Sequence, residues 1–271
     1  MGMIFSIWGK NGSGKSTVAS NLACAFSKRG YMTAIVGANR FYGAIQYYYN
    51  ISISAEQSLR VLLSGDDSMS IQDYFIICPS DKNIHIASLA DGEDCAGYRK
   101  LRVDMVVRFL NLVKNNYPIV LIDCDESIDD PLSMYSLTMS EKIVYVTRPT
   151  LQSVIFAKAY ESIVSGLQVK EQMTVAYVAG AASSATISED AGLYSPFGIT
   201  KGYRFLPYCQ EIESPSDTAA PIIYTRGRSR AAINYSKEII ALADMLADSK
   251  GMDRATDKGT DKGTDNGTDK R

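Results

Sequence analysis

Short apolar runs alternate with stretches of helical spacing from residue 3 almost to residue 247. The runs "MIFSIW" (3–8), "MTAIVGA" (32–38), "NIHIASL" (83–89), "IVLID" (119–123), "KIVYVT" (142–147), "MTVAYVAG" (173–180) and "GYRFLP" (202–207) read as strands. Between the first two, 15–29 sets Val18, Leu22 and Phe26 on one helical face, and Gly30 ends it. A second amphipathic helix is predicted over 98–116, with Leu101, Met105, Val106, Phe109, Leu112 and Val113 spaced for one face. Shorter helical patterns cover 55–65, 151–165 and 229–247. Strands this apolar need cover on both sides. The expected fold class is therefore α/β, a doubly wound, mostly parallel sheet with helices on both faces. Ligands of such sheets bind beyond the carboxyl ends of the strands.

At residue 248 the pattern stops. "TDKGTDKGTDNGTDK" repeats every four residues, carries no apolar side chain and balances Asp against Lys. A segment that buries nothing cannot offset its ordering entropy, so 248–271 is expected to be a disordered polar tail behind a single domain over 1–247.

Composition narrows the function only by exclusion. With 46% hydrophobic and 21% charged residues and a formal charge of −2, the 271-residue chain has no global pull toward nucleic acid or anionic membrane. No run approaches the roughly 18 apolar residues of a membrane span. "MGMIFS" fits a loose acylation pattern, but it is the start of the first buried strand. A cytoplasmic protein is expected. The five cysteines are scattered and the one histidine, His85, lies in a strand-like stretch, so a zinc or cluster site is not indicated.

Chemistry concentrates in "GKNGSGKST" (9–17), directly after the first strand and before the first helix. Gly9, Gly14, Lys15 and Ser16 complete G-x-x-x-x-G-K-[ST]. Gly9, Gly12 and Gly14 let the amides of Asn11, Ser13 and their neighbours turn inward around a phosphate, and the helix adds its positive end. Lys15 should reach the β- and γ-phosphates, Ser16 should complete the shell of a Mg2+ ion, and Thr17 should bond an inner phosphate. A glycine-rich turn that binds nothing is the competing reading, and the strand–loop–helix context argues against it. What this leaves unexplained is a second lysine, Lys10, at the start of the loop.

With that lysine the segment resembles the deviant Walker A motif, K-G-G-x-G-K-[ST], of the ParA/MinD family of ATPases. The resemblance runs over about residues 3–247. It implies that Lys10 crosses a homodimer interface to the phosphates of the partner's ATP, with Asn11 replacing the first glycine. "YPIVLIDCDESIDDP" resembles the strand whose closing aspartate contacts Mg2+ through water, which makes Asp123 the counterpart. "VYVTRPTLQSV" resembles the next strand, and "LPYCQEIESPSDTAAPII" the one whose Pro207 loop covers adenine. The base-reading asparagine expected after "MTVAYV" is replaced by Gly180-Ala181. In the family an aspartate in a D-x-D pattern after the second strand orients the attacking water. Gly37 and Asn39 stand there instead, and Asn39 can hold a water but not take its proton. ATP binding with slow or weak hydrolysis is expected. Asp125 and Glu126 occupy places where the family often has prolines; a solvated, outward-pointing loop is the expectation for them.

"NRFYGAIQYYYNISISAEQSLRVLL" looks most like the CpaE/TadZ pilus-assembly subgroup, which implies protein partners in a membrane-associated machine. Tyr47, Tyr48 and Tyr49 read either as a partner surface or as a buried strand. A DNA-partition ATPase is the main alternative, and it would use Arg226, Arg228, Arg230 and Lys237 as a basic patch. Scattered solvated charge is the plainer reading of those four. A tyrosine-kinase domain of the same fold would need a tyrosine-rich tail, which is absent. Direct membrane insertion is not expected, since no amphipathic anchor closes the sequence.

Overall fold

A computed structural model of the protein describes residues 1–65, 70–93, 101–180, 195–213, 221–224 and 229–248. The strands are β1 (Met3–Trp8), β2 (Thr33–Ala38), β3 (Ile76–Cys78), β4 (Asp81–Ala87), β5 (Ile119–Cys124), β6 (Lys142–Thr147), β7 (Met173–Val178) and β8 (Tyr203–Leu206). The helices are α1 (Lys15–Ser27), α2 (Leu59–Ser64), α3 (Val103–Asn116), α4 (Pro131–Met139), α5 (Leu151–Gly166), α6 (Gln210–Glu213) and α7 (Arg230–Ala247). They form one eight-stranded sheet of order β3-β4-β2-β5-β1-β6-β7-β8, parallel except for the edge strand β3. β1 leads past β5 to β2, whereas β5 leads past β1 to β6. The crossovers therefore part at β1 and β5, and a crevice opens at their carboxyl ends.

The alternation within β1 distributes the core. Phe5 and Ile7 face α1 and α7, together with Val18, Leu22 and Phe26. Ile4 and Trp8 face the opposite layer, built from α2, α3, α4 and α5. Trp8 is fully buried there, with ring centroids 5.4 Å from Tyr145, 5.7 Å from Phe156 and 5.4 Å from Tyr160. Its indole N–H donates to the Glu126 carbonyl at 3.0 Å, which ties the loop after β5 to the end of β1.

Several sequence expectations need correction. The single helix expected over 55–65 is a 3-10 turn (Ala55–Gln57) followed by α2, because Ser58 caps a new start through Arg60 N–H. The strand expected over 83–89 begins at Asp81 and ends at Ala87, and it gains a partner, β3, that the apolar pattern does not predict. α4 is likewise an addition. Asp130 caps it through Ser133 N–H and Pro131 starts it, a pairing that marks helix starts in sequences generally. Tyr47–Tyr49 are not a strand: Ile45–Tyr49 is a 3-10 helix closed by Asn50 in the left-handed region. His85 is structural, its ring bonded to the Tyr117 hydroxyl at 3.0 Å and the Lys82 carbonyl at 3.2 Å. The tail beyond residue 248, residues 98–100 of the helix expected over 98–116, Ala181, and Arg226 and Arg228 lie outside the described residues. No helix among the described residues is long and apolar enough to cross a membrane.

Candidate nucleotide site

The loop 9–14 leaves β1 under tight backbone constraint. At Gly9, φ is +152°, and a Cβ there would stand 2.1 Å from the Val146 carbonyl of the neighbouring β6. Only glycine fits so close a backbone approach. Gly14 caps α1 in the left-handed region (φ 100°) and offers no side-chain acceptor. The first amides of α1 are thus left without an internal partner, at the positive end of the helix. This is the geometry in which a helix N-terminus accepts a phosphate. Ser13 Oγ is buried here with no hydrogen-bond partner.

Lys15 is buried, and its ammonium lies 3.1 Å from Asn11 Oδ1 and 3.4 Å from the Lys10 carbonyl. Desolvation lowers its pKa, while the carboxylates of Asp123, Asp125 and Glu126 pull the other way. Lys10 differs in direction. It is half-buried, its Nζ rests 3.4 Å from the Asn11 carbonyl at the exposed rim, and it forms no ion pair with a described residue. One ammonium points into the cradle and the other stands at its mouth.

Asp123 enters the same crevice because β5 lies beside β1 in register, Ile7 opposite Asp123. Ser16 Oγ donates to Asp123 Oδ2 at 2.6 Å, and Oδ1 is buried without a partner. Burial, reinforced by Asp125, pushes the Asp123 carboxyl from its ordinary 3.8 up to about 6, against the lowering effects of Ser16 and Lys15. A hydroxyl and a carboxylate with an unsatisfied oxygen are hard donors of the kind that Mg2+ takes. Among the described residues no three His, Cys, Asp or Glu side chains converge into a cage. Magnesium does not need one, since it completes its shell with water and phosphate oxygens. The residues present therefore fit the ion, and Ser16 and Asp123 are the ones that would hold it.

The raised carboxyl makes stability depend on pH with a definite sign. Between pH ~4 and ~6 the folded protein keeps a proton on Asp123 that the unfolded chain has lost, so stability falls as pH rises through that window and levels off above it. Asp123→Asn is expected to flatten this slope in urea unfolding. It should stabilise the nucleotide-free protein by about 1–3 kcal/mol at pH 7, since each tenfold difference in proton affinity between the folded and unfolded chain corresponds to ~1.4 kcal/mol. An unchanged slope in the variant would show that Asp123 ionises freely.

The loop after β5 departs from expectation. Asp125 is buried rather than outward and solvated, with Oδ2 3.8 Å from Arg40 Nε in the loop after β2. Glu126 Oε2 accepts the Asn11 amide of the phosphate loop at 2.5 Å. Two anchors fix the backbone here: the Asp125 amide donates to Ser133 Oγ at 3.0 Å, and Trp8 holds the carbonyl of Glu126, whose side chain is half-buried. Asn39 leaves β2 where Gly37 pairs with Asp123, and its Oδ1 caps the Phe41 amide at 2.9 Å.

Two further contacts are hidden in the sequence. Thr17 Oγ1 and the Tyr48 hydroxyl are 2.9 Å apart, and Tyr49 donates to the Ser20 carbonyl at 2.9 Å, so the 3-10 helix supports the first turns of α1, directly after the phosphate loop. Tyr47 is the exposed member of the three. A run of three tyrosines is an unusual signal, but strand alternation would send neighbouring rings to two opposite faces. The 3-10 turn instead splays them in three directions. Pro207 lines a cleft of about 40 Å³ beside the loop, with Gly14, Thr17, Val178, Cys209 and Tyr235 among its walls.

The sheet order and this crevice define the fold of the MinD and ParA-type P-loop ATPases. The chain superposes on the septum site-determining protein MinD of Pyrococcus horikoshii OT3, solved with Mg-ADP, with a TM-score of 0.69 at 19% identity, over 93% of this chain and 98% of that one. A ParA family ATPase of Chlorobium tepidum TLS gives a TM-score of 0.72 at 17% identity, over 89% and 97%. A putative plasmid partition protein of Borrelia burgdorferi B31, bound to AMPPNP, gives 0.69 at 14%, over 91% and 98%. No protein-family profile matches the chain, and no curated protein matches it in sequence.

Proposed function

We propose that the protein is an ATP-binding switch of the ParA/MinD type, which closes into a homodimer around ATP and Mg2+. In this reading the dimer helps to place or assemble a membrane-associated pilus or secretion machine. The carrying observation is the pair of lysines. Lys15 is buried with its ammonium against Asn11 Oδ1, while Lys10 stands at the rim without a carboxylate partner among the described residues. Two facing triphosphates repel each other, and a rim lysine from each side offsets that repulsion only when both cradles are filled. In each subunit the loop amides and Lys15 hold the phosphates, Ser16 and Asp123 hold the ion, and the Pro207 cleft receives the base. When bound there, the ion would supply charge neutralisation to the phosphates. Asn39 can place a water but cannot take its proton, which supports slow turnover.

Sedimentation velocity tests the reading. The mass is expected to double with ATP and Mg2+ but not with ADP, and Lys10→Ala is expected to abolish the doubling while changing monomer affinity by less than about tenfold. Equal mass with both nucleotides, together with no effect of Lys10→Ala, would discard it. A partition ATPase that binds DNA is the second reading. Arg230 and Lys237 are exposed on α7, as it requires, and a salt-dependent, ATP-dependent gel shift would favour it.

A further inference from the structure

The Glu126 carboxylate occupies one of the cradle's donors. The amide of Asn11 donates to Glu126 Oε2 at 2.5 Å. The position of that amide along the loop can be read from Lys15. A P-loop lysine reaches the β- and γ-phosphates, and here its Nζ is 3.1 Å from Asn11 Oδ1 and 3.4 Å from the Lys10 carbonyl. Residues 10 and 11 therefore line the outer, γ end of the cradle. The α1 N-terminus and Thr17 line the inner end.

Glu126 is also held in place. Its carbonyl accepts from the Trp8 indole at 3.0 Å, and the preceding amide donates to Ser133 Oγ at 3.0 Å. Its backbone is fixed at two points, so only the side chain can withdraw. A second anion at the same spot faces both loss of the amide and repulsion by a carboxylate, with Asp125 buried alongside. A diphosphate seated at the inner end meets neither obstacle.

We propose that Glu126 is a specificity-determining residue that sets the ratio of triphosphate to diphosphate affinity. It acts as a resident anion at the γ end, which a third phosphate must displace and a diphosphate leaves in place. The proposal rests on the nucleotide-binding reading above and adds to it a thermodynamic threshold. In the resting protein, triphosphate is held more weakly than the cradle alone would allow. Any contact that draws Glu126 away, from a partner or from a second copy, raises triphosphate affinity selectively.

Calorimetry on the full chain with Mg2+ tests this, with AMPPNP and ADP as probes. Glu126→Gln keeps the size and one acceptor oxygen but removes the charge. AMPPNP affinity is expected to rise about tenfold while ADP affinity moves by less than about twofold, roughly 1.4 against 0.4 kcal/mol. Glu126→Ala, which also removes the acceptor, is expected to shift AMPPNP in the same direction. Equal shifts for the two nucleotides, no shift, or weaker AMPPNP binding would each overturn the proposal. Wild-type protein that takes up neither nucleotide would instead overturn the nucleotide-binding reading, and that result is obtained before any variant is made.

Discussion

Lys15→Ala is expected to weaken AMPPNP binding in the presence of Mg2+ by at least about a hundredfold, some 2.7 kcal/mol. The magnitude follows from where the ammonium sits. It is buried, and Asp123, Asp125 and Glu126 all act on it. Without it, a triphosphate would enter a crevice holding three carboxylates and no inward-pointing ammonium among the described residues. The amides of α1 would remain, but partial charges at a helix end contribute only about 0.3–2 kcal/mol. Lys15→Arg should not restore binding, because a planar fork does not reproduce a compact point charge in a space shaped by Asn11 and the Lys10 carbonyl. Calorimetry reads the effect directly, and an affinity within a few-fold of wild type would mean that phosphates are held elsewhere.

The largest loss of stability is expected from Trp8→Ala. The indole is fully buried among Tyr145, Phe156, Tyr160 and Phe197. Deleting a ring of this size from such a core costs about 3–5 kcal/mol, and a thermal midpoint lower by on the order of 10 °C should result. Trp8→Phe separates packing from polarity. It refills most of the volume but leaves the Glu126 carbonyl without its donor, a loss of about 1 kcal/mol. Its effect should be visible at the crevice, as a changed AMPPNP-to-ADP affinity ratio, more than in the melting curve. A midpoint for Trp8→Ala within a degree or two of wild type would mean that the aromatic layer carries little of the fold's stability.

Whether a feature of this fold is legible in the sequence depends on whether local pattern or tertiary context decides it. β1, β2, β5 and β6 are short, apolar and flanked by glycine or charge, so their periodicity alone places them to within a residue or so. The G-x-x-x-x-G-K-S spacing locates the cradle, because its backbone demands are met by very few sequences. β3 is invisible: three residues at a sheet edge carry no period, and pairing with β4 makes them a strand. The Asp125–Glu126 pair runs against its local reading for a related reason. Acidic residues after a strand usually face water. Here Asp125 is buried and the half-buried Glu126 reaches the Asn11 amide, on a backbone that Ser133 and Trp8, eight residues downstream and 118 residues upstream, hold between them. No local pattern encodes that arrangement. Tyr48 on Thr17 is the same case, 31 residues apart.

The chain contains a single tryptophan, and it occupies the last position before the phosphate loop, with its N–H bonded to the Glu126 carbonyl, in the segment that contacts that loop. Ultraviolet emission from the unlabelled protein therefore originates from one indole whose polar edge touches the wall of the site. Stopped-flow mixing can follow that emission in real time, so the rate at which an added nucleotide changes this wall is open to measurement without attaching a dye.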